Sequence, residues 1–363
     1  MKKNKVRLLT LIMSTLFIIN GLVGCSSSEK KEEINILNYG ANAAEGVYEE
    51  FEKETGIKVN EKTFDDMHYM YQEVASGKVK YDVILVSDDM AEKMIKEDML
   101  QNINKDNIPN IVNMNEGDMG KPYDPNNDYT VPYMNGTIGL IYNTETVDED
   151  IDSWESLFDT KYKNEVFMFD NMRDTIGVAL KTLGYSLNSI DQNELEEAKN
   201  LLIKQKEEVN PVYGADEVLD LMRSGEKKIA MIWSGEGLNL EAEDSKFKYV
   251  IPEEGADYWL DSWAIPKDAQ NVSGAEKFIN FMSDKDIAFR TADEIGYTTP
   301  QKQAIEEQPA EVKNNENAYM PKEILDKWAA PGRQPEPAPA PGTECRAAKP
   351  RPAGNAQKAQ GSG

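Results

Sequence analysis

Short apolar runs alternate with segments of helical spacing along most of the chain. The runs are strand-length and almost continuously apolar, which is typical of strands buried on both faces of a parallel sheet. They occur at residues 34–39, 81–86 and 229–233. The helical segments occur at residues 45–55, 178–183 and 275–282. This alternation predicts an α/β architecture of mostly parallel sheets flanked by helices.

Helix ends are also marked in the sequence. Gly56 follows segment 45–55 at a point where a left-handed C-terminal residue is favoured, so we expect the helix to end there. After the run 81–86, Asp88 or Asp89 is expected to cap the next helix.

The first residues have the pattern of a targeting signal. Four basic residues among the first seven precede an apolar run, 8–24, that is too short for a membrane span. The run ends in Leu22-Val23-Gly24-Cys25, which resembles a bacterial lipobox. The resemblance implies a lipoprotein signal peptide over residues 1–25, lipid on Cys25, and a tether over 26–33. The alternative is ordinary secretion with a chance cysteine.

The composition changes at residue 331. Residues 331–363 are rich in Pro, Ala and Gly and nearly lack large apolar side chains, so we expect a disordered tail. This composition is foreign to the Lys-, Glu- and Asn-rich body of the chain. A natural linker, an added fusion and a frameshifted end are all open, and the composition favours the last two.

Charge and rare residue types exclude several classes of protein. With 65 acidic against 40 basic residues and a net charge of -25, the chain is not expected to bind nucleic acid. A single histidine, His68, excludes zinc sites that need two or more. Two cysteines near opposite ends provide neither a disulfide framework nor a Cys-rich metal site. We predict no cofactor and no metal, and the length suggests two domains.

Several runs in the body resemble a known family. They are Phe51–Val59 with Tyr81–Ile84, Tyr123–Tyr133, Leu183–Ser186, Met231–Trp233, Trp259–Pro266 and Ile295–Pro300. In this order and spacing they resemble the spermidine/putrescine-binding proteins, which are extracytoplasmic solute-binding proteins of ABC importers, over residues 34–328. The resemblance implies a periplasmic-binding-protein type II fold. In that fold two α/β lobes of mostly parallel sheet are joined by crossing strands, with a ligand cleft between them.

The resemblance also implies how the chain is divided and with what it interacts. The first lobe would comprise residues 34–135 and 262–300, and the second lobe residues 136–261 and 301–330. The protein would be a monomer, held on the outer side of the bacterial cell membrane by the lipid on Cys25. It would bind a small cationic ligand, a polyamine or related amine, and deliver it to the subunits of an ABC permease.

A polyamine is an apolar chain that carries ammonium groups, so its binding site needs aromatic walls and carboxylates. Six residues match ligand positions of the family: Ser87 in the pocket lining, Asp174 and Asp261 as carboxylates, and Trp233, Trp259 and Tyr297 as walls. The chain departs from the family's pattern at five further positions. Tyr39 stands where the family usually has Trp, so an aromatic wall is kept. The polar residues Asn42, Asp89 and Asn135 replace aromatic residues, and Asn171 replaces Asp or Ser. These departures predict a wider and wetter cavity, in which Asp89 adds negative charge that favours a cation.

Each candidate also has a structural interpretation. Trp233 could end a core strand, Tyr297 could be a turn residue, and Asp174 could be an acid at a helix N terminus. Strand alternation places Trp259 and Asp261 on one face. A functional face is the better interpretation there, because burying an unpaired carboxylate is costly.

Three hypotheses of function follow from the sequence. The first is capture of a polyamine or related cationic amine for an importer. The second is the same scaffold with a retuned or redesigned pocket that binds another small polar or zwitterionic amine. The third is an enzyme with Asp89, Asp174 and Asp261 as acid and base groups, although no paired nucleophile and base, phosphate loop or metal cluster supports it.

Overall fold

A computed structural model describes residues 32–321 except 41 and 216, together with residue 324. The predicted signal peptide 1–25 with Cys25, and the predicted tail 331–363, lie outside the described residues. Within the described ranges, no helix combines the length and apolar character needed to cross a membrane.

Strands and helices alternate through the described residues. The strands are β1 Glu33–Tyr39, β2 Lys58–Phe64, β3 Val83–Val86, β4 Thr130–Asn143, β5 Val166–Phe169, β6 Val212–Gly214, β7 Ile229–Trp233, β8 Phe247–Val250 and β9 Tyr258–Ala264. The α-helices are α1 Val47–Thr55, α2 Met67–Ser76, α3 Asp88–Lys96, α4 Met172–Thr182, α5 Gln192–Glu208, α6 Val218–Arg223, α7 Ser234–Glu243, α8 Val272–Met282, α9 Lys285–Ile295, α10 Lys302–Glu307 and α11 Ala310–Lys313. The predicted alternation is therefore confirmed.

The strands form one sheet in the order β2–β1–β3–β9–β4–β7–β5–β6, and β8 pairs with the far half of β4. Strand β1 is parallel to β2 and β3, and β5 is parallel to β6 and β7. The strands β4 and β9 are antiparallel to their neighbours. Two parallel portions are thus joined by a pair of antiparallel crossing strands.

Strand β4 belongs to both portions of the sheet. Its residues 130–137 pair with β9, and its residues 138–142 pair with β7. All 14 residues of β4 are buried. The register between β4 and β9 shifts between Pro132 and Met134, which marks a bulge near the crossing.

Hydrophobic cores lie on both sides of the crossing. The first lobe contains one cluster around Phe51 and Trp263 and a second around Ile84. The second lobe contains the cluster around Trp154. Trp259 packs against cores of both lobes, so strand β9 brings this side chain to the boundary between them.

Two helix ends test the local predictions. Gly56 ends α1 with φ 74°, and its N–H donates to the Glu52 carbonyl, as predicted. The prediction that Asp88 or Asp89 caps α3 was wrong, because Ser87 is the N-cap residue and both aspartates lie in the first turn. The Ser87 hydroxyl donates to Asp89 Oδ1 over 2.6 Å, and the carboxylates favour the positive end of the helix dipole.

The segment after residue 300 adjoins the first lobe. Helix α10 packs beside α9, where Lys285 Nζ lies 2.6 Å from Glu307 Oε1. The Asn115 N–H also donates to the Pro300 carbonyl over 2.7 Å. The lobe boundaries assigned from the sequence stay a prediction.

Candidate functional site

Aspartates from three elements gather at the boundary between the lobes. Asp88 and Asp89 lie in the first turn of α3, because β3 delivers the chain to the boundary where that helix begins. Asp261 lies on β9, and the neighbouring Ser262 pairs with Val86 at the end of β3. Together with Asp174 in α4 and Asp257 just before β9, these residues are here called the carboxylate cluster.

The cluster is partly buried, and its carboxylates are close enough to repel one another. Burial, and repulsion from Asp88 and Asp89, raise the pKa of Asp261 to about 8. Burial and repulsion from Asp257 raise the pKa of Asp174 to about 8. Burial and the same Asp257 charge raise the pKa of Asp88 to about 7. Carboxylates of both lobes therefore repel one another across the boundary.

Arg173 is a basic residue beside this cluster, and Lys181 places a second positive charge near Asp257. Arg173 Nη2 lies 3.8 Å from Asp257 Oδ1 and donates to Asn188 Oδ1 over 3.3 Å. Its positive charge opposes the rise in the pKa of Asp88, Asp174 and Asp257 but is not a cause of the shift at Asp261. Among the residues that the structure describes, the Asp261 carboxylate has no hydrogen-bond or ion-pair partner. Asp261 is the carboxylate best placed for an added cation.

Two predicted aromatic walls contact each other. The rings of Trp259 and Tyr297 meet edge to face with centroids 5.4 Å apart. Gly136 on β4 pairs with Trp259, and a Cβ at Gly136 would lie 2.5 Å from the Trp259 ring. A Cβ at Gly235 would lie 2.6 Å from the Tyr297 ring. Each ring thus packs directly on backbone that lacks a side chain.

Trp233 and Asn171 approach the boundary from the second lobe. Trp233 ends β7 and stacks on Phe169 at the end of β5, with centroids 4.3 Å apart and the ring planes 28° apart. Asn171 is the N-cap of α4: its Oδ1 accepts the Asp174 N–H over 3.2 Å, and its Nδ2 donates to the Asp174 carboxylate. Asn171 therefore orients Asp174, and Asp174 is both a helix-terminal acid and a member of the cluster.

Tyr39 and Asn42 lie at the end of β1. Tyr39 packs edge to face on Phe64 with centroids 5.4 Å apart. Asn42 is buried, and its carbonyl accepts a hydrogen bond of 2.6 Å from the Tyr133 hydroxyl. The contacts of Tyr39 with Phe64 and of Asn42 with Tyr133 lie within the first lobe.

Asn135 is held by protein groups. Its Nδ2 donates to Asp118 Oδ2 over 3.1 Å, and its side-chain oxygen accepts from the Thr298 hydroxyl. Its N–H and carbonyl also bond to Thr298. Asn135 is 5% exposed, so its amide is directed into the protein interior.

Sequence reasoning missed three residues near the site. Two of them, Asp88 and Asp257, belong to the carboxylate cluster. The third is Tyr123: burial raises the pKa of its hydroxyl, and the nearby charges of Asp88 and Asp261 add to this rise. Asp88 adjoins Asp89, a predicted pocket residue, and only Tyr258 separates Asp257 from Trp259. Alternation along β9 could have identified Asp257, because residues 257, 259 and 261 share one face.

A small cavity opens beside the cluster in the second lobe. Its lining includes Trp154, Arg173, Asp174, Lys181 and Asp257. Of the residues selected from sequence, Asp174 alone lines this cavity. In the described part of the chain, no group of His, Cys, Asp and Glu is arranged to hold a metal ion.

Gly136→Ala tests the close packing under Trp259. The new methyl group would overlap the indole and crowd the Ser234 hydroxyl at 2.8 Å, so Trp259 must move. We expect a loss of about 1–3 kcal/mol in the free energy of unfolding, measured by urea titration, with altered tryptophan fluorescence. Gly177→Ala is the control, because its methyl group would meet Leu187 Cβ at an ordinary 3.6 Å. Equal stability of the two variants would contradict the packing described.

A protein-family model matches most of the described residues. Residues 46–321 match the model of the family described as bacterial extracellular solute-binding protein. The chain is similar to the spermidine/putrescine-binding periplasmic protein of Salmonella typhimurium, with 34% identity over 307 residues, covering 84% of this chain and 88% of the relative. The protein of that description from Escherichia coli is 34% identical over 305 residues, covering 84% of this chain and 87% of the relative.

A solved structure is similar over most of the described fold. It is the spermidine/putrescine ABC transporter substrate-binding protein PotD of Streptococcus pneumoniae. The TM-score is 0.72 at 34% identity, with 81% of this chain and 91% of that chain covered.

Proposed function

The chain belongs to the bacterial extracellular solute-binding proteins, and we propose that it captures a polyamine or a related cationic amine for an ABC importer. Members of this family bind solutes outside the cytoplasm and are not enzymes, which removes the acid–base hypothesis. Relatives at 34% identity are described as binding spermidine and putrescine, and this supports the choice of ligand.

The carboxylate cluster is the observation that carries the proposal. Five aspartates from both lobes gather at the boundary, and Arg173 interacts electrostatically with four of them but not with Asp261. Burial and mutual repulsion raise the pKa of three of the five into the range of about 7 to 8. An ammonium group placed among them would favour their ionised forms and form charge-assisted hydrogen bonds of about 1.5–3 kcal/mol each. A ligand with two or more ammonium groups could engage carboxylates of both lobes, so binding would favour their closure.

Aromatic contacts complete the proposed recognition. Trp259 reaches the boundary between the lobes, Tyr297 packs on it, and Trp233 stands at the end of β7. Indole and phenol faces bind both methylene chains and cations, with about 0.5–2 kcal/mol from each cation–π contact. We propose these three rings, with Asp174 and Asp261, as the main ligand contacts, and Tyr39, Asn42, Ser87, Asp89 and Asn171 as further pocket residues.

A second ligand class has one specific observation in its favour. Arg173 is partly exposed beside the cluster, and its 3.8 Å separation from Asp257 is long for a salt bridge. A ligand carboxylate could pair with this guanidinium while its ammonium pairs with Asp261. A zwitterionic amine is therefore the alternative to a polyamine.

The setting of this activity follows the sequence. We propose that lipid on Cys25 anchors the protein as a monomer on the outer face of the cell membrane, from which it delivers its ligand to the permease subunits. The lipobox-like run before Cys25 supports the anchor.

Calorimetric titration with putrescine and spermidine tests the proposal directly. We expect dissociation constants of about 1 μM or tighter, with butylamine at least about tenfold weaker because it carries one ammonium group. A zwitterion of matched length, 4-aminobutanoate, is the control for the alternative. Tighter binding of the zwitterion would favour the retuned pocket, and no binding of either diamine or triamine would contradict the proposed function.

A further inference from the structure

A buried hydrogen-bond network joins the two crossing strands behind the aromatic walls. The Tyr258 hydroxyl donates to Asp118 Oδ1 over 2.7 Å, and Asn135 Nδ2 donates to Asp118 Oδ2 over 3.1 Å. The Thr298 hydroxyl donates to the Asn135 carbonyl over 2.7 Å. One carboxylate from the loop before β4 thus binds groups on both β4 and β9.

The members of this network adjoin residues that carry the walls. Tyr258 precedes Trp259 on β9, and Thr298 follows Tyr297. Asn135 precedes Gly136, the residue on which the Trp259 indole packs. Alternation along β9 gives Tyr258 the face opposite to Trp259, so the network holds the backbone while the indole is directed the other way.

The carboxylate at the centre of this network is buried and therefore requires hydrogen-bond partners. Asp118 is 1% exposed, and a buried carboxylate is costly unless its oxygens are hydrogen-bonded. Tyr258 and Asn135 meet that requirement, and Lys121 Nζ lies 3.9 Å from the carboxylate. Charge-assisted bonds of this kind are stronger than neutral ones and restrict the side chains and strands that supply them.

We propose that Asp118 and Tyr258, with Asn135, are positioning residues that set the orientation of the Trp259–Tyr297 wall. This inference rests on the proposed function only in taking that wall as a ligand surface. It assigns Asn135 to the support of the wall, where the sequence placed it among the pocket residues.

Tyr258→Phe tests the proposal, since it removes one hydroxyl and keeps the ring. In ligand-free protein labelled with 5-fluorotryptophan, we expect the ¹⁹F resonance of Trp259, assigned with Trp259→Phe, to shift or broaden. The resonance of Trp154, in the core of the second lobe, should not move. Putrescine affinity should fall by about threefold to tenfold, as expected for one lost hydrogen bond.

Two further variants separate positioning from general stability. Asp118→Asn keeps one oxygen that accepts from Tyr258 but turns an NH2 group toward Asn135 Nδ2, so it should shift the Trp259 resonance less than Asp118→Ala, which removes both bonds. Tyr185→Phe is the matched control, because that hydroxyl binds Glu197 on the surface and should affect neither measurement.

The proposal is overturned if Tyr258→Phe and Asp118→Ala leave the Trp259 resonance unchanged, or if the Trp154 resonance moves equally. If the original protein binds neither putrescine nor spermidine, the proposed function fails, but the comparison of resonances in ligand-free protein still decides the positioning role.

Discussion

Asp261→Asn is expected to weaken putrescine or spermidine binding by at least about 1.5 kcal/mol, which is more than tenfold. The Asp261 carboxylate has no partner among the described residues, so a ligand ammonium would provide its principal counter-charge. The amide keeps the size and one acceptor but removes the charge. Calorimetric titration at about pH 8, where much of Asp261 is ionised, measures the change.

The same substitution should stabilise the ligand-free protein. Because the pKa of Asp261 is raised in the folded protein, the tendency of this carboxyl group to ionise destabilises the folded state at pH values above its ordinary pKa near 3.8. The amide of Asn does not ionise and removes this cost. We expect a melting temperature at least about 2 °C higher at pH 8. Asp148→Asn, at an exposed position, is the control and should change neither measurement. Unchanged affinity in a folded Asp261→Asn variant would exclude Asp261 from the site.

Polyamine affinity is expected to rise steeply with pH between about 6 and 8. Asp174 and Asp261 have pKa values of about 8, so most of each is protonated at pH 6, while aliphatic amines remain charged throughout. If one such carboxylate must be ionised for binding, its protonation lowers the affinity about 50-fold between pH 8 and pH 6. Binding at neutral pH should therefore release protons.

Calorimetry in two buffers of different ionisation enthalpy measures that proton release. The Asp261→Asn variant should release fewer protons than the original protein. Without ligand, the melting temperature should fall as the pH rises from about 6 to 8, because the folded state holds protons that the unfolded state has already lost. Affinity that stays constant over this range would contradict the assigned role of the carboxylates.

The fold could be predicted largely from local patterns. The apolar runs at β1, β3 and β7 and the resemblance to the family identified a type II fold with two α/β lobes, which the similarity to the solved relative confirms. The antiparallel pairing of β9 with β3 and β4 could not be read from these runs, because it depends on contacts between residues more than 100 positions apart.

The candidate site was predictable where strand alternation or family motifs applied. Trp259 and Asp261 lie on one strand, and their spacing of two positions indicated a shared face. Trp263 continues that spacing, yet it is fully buried against Tyr133 and Phe278, because β9 enters the core of the first lobe at that point.

Charge neighbours were harder to predict than faces. The charges of Asp88 and Asp257 interact because the first turn of α3 in one lobe lies near the residues that precede β9 in the other. No local sequence pattern predicts that these two segments are close. Asn135 was predicted as a pocket residue from its position on β4, but its side chain binds Asp118 in the loop before that strand. No local pattern predicts this contact with the loop.

The shared strand β4 has a consequence for dissecting the chain. Its first half pairs with β9 in one lobe, and its second half lies between β7 and β8 in the other. Cutting the polypeptide within or beside this strand would deprive one fragment of an interior strand and expose apolar surface that prefers to associate. The two halves of this molecule are therefore mutually dependent parts of one folding unit, and neither is suited to separate expression as an isolated module.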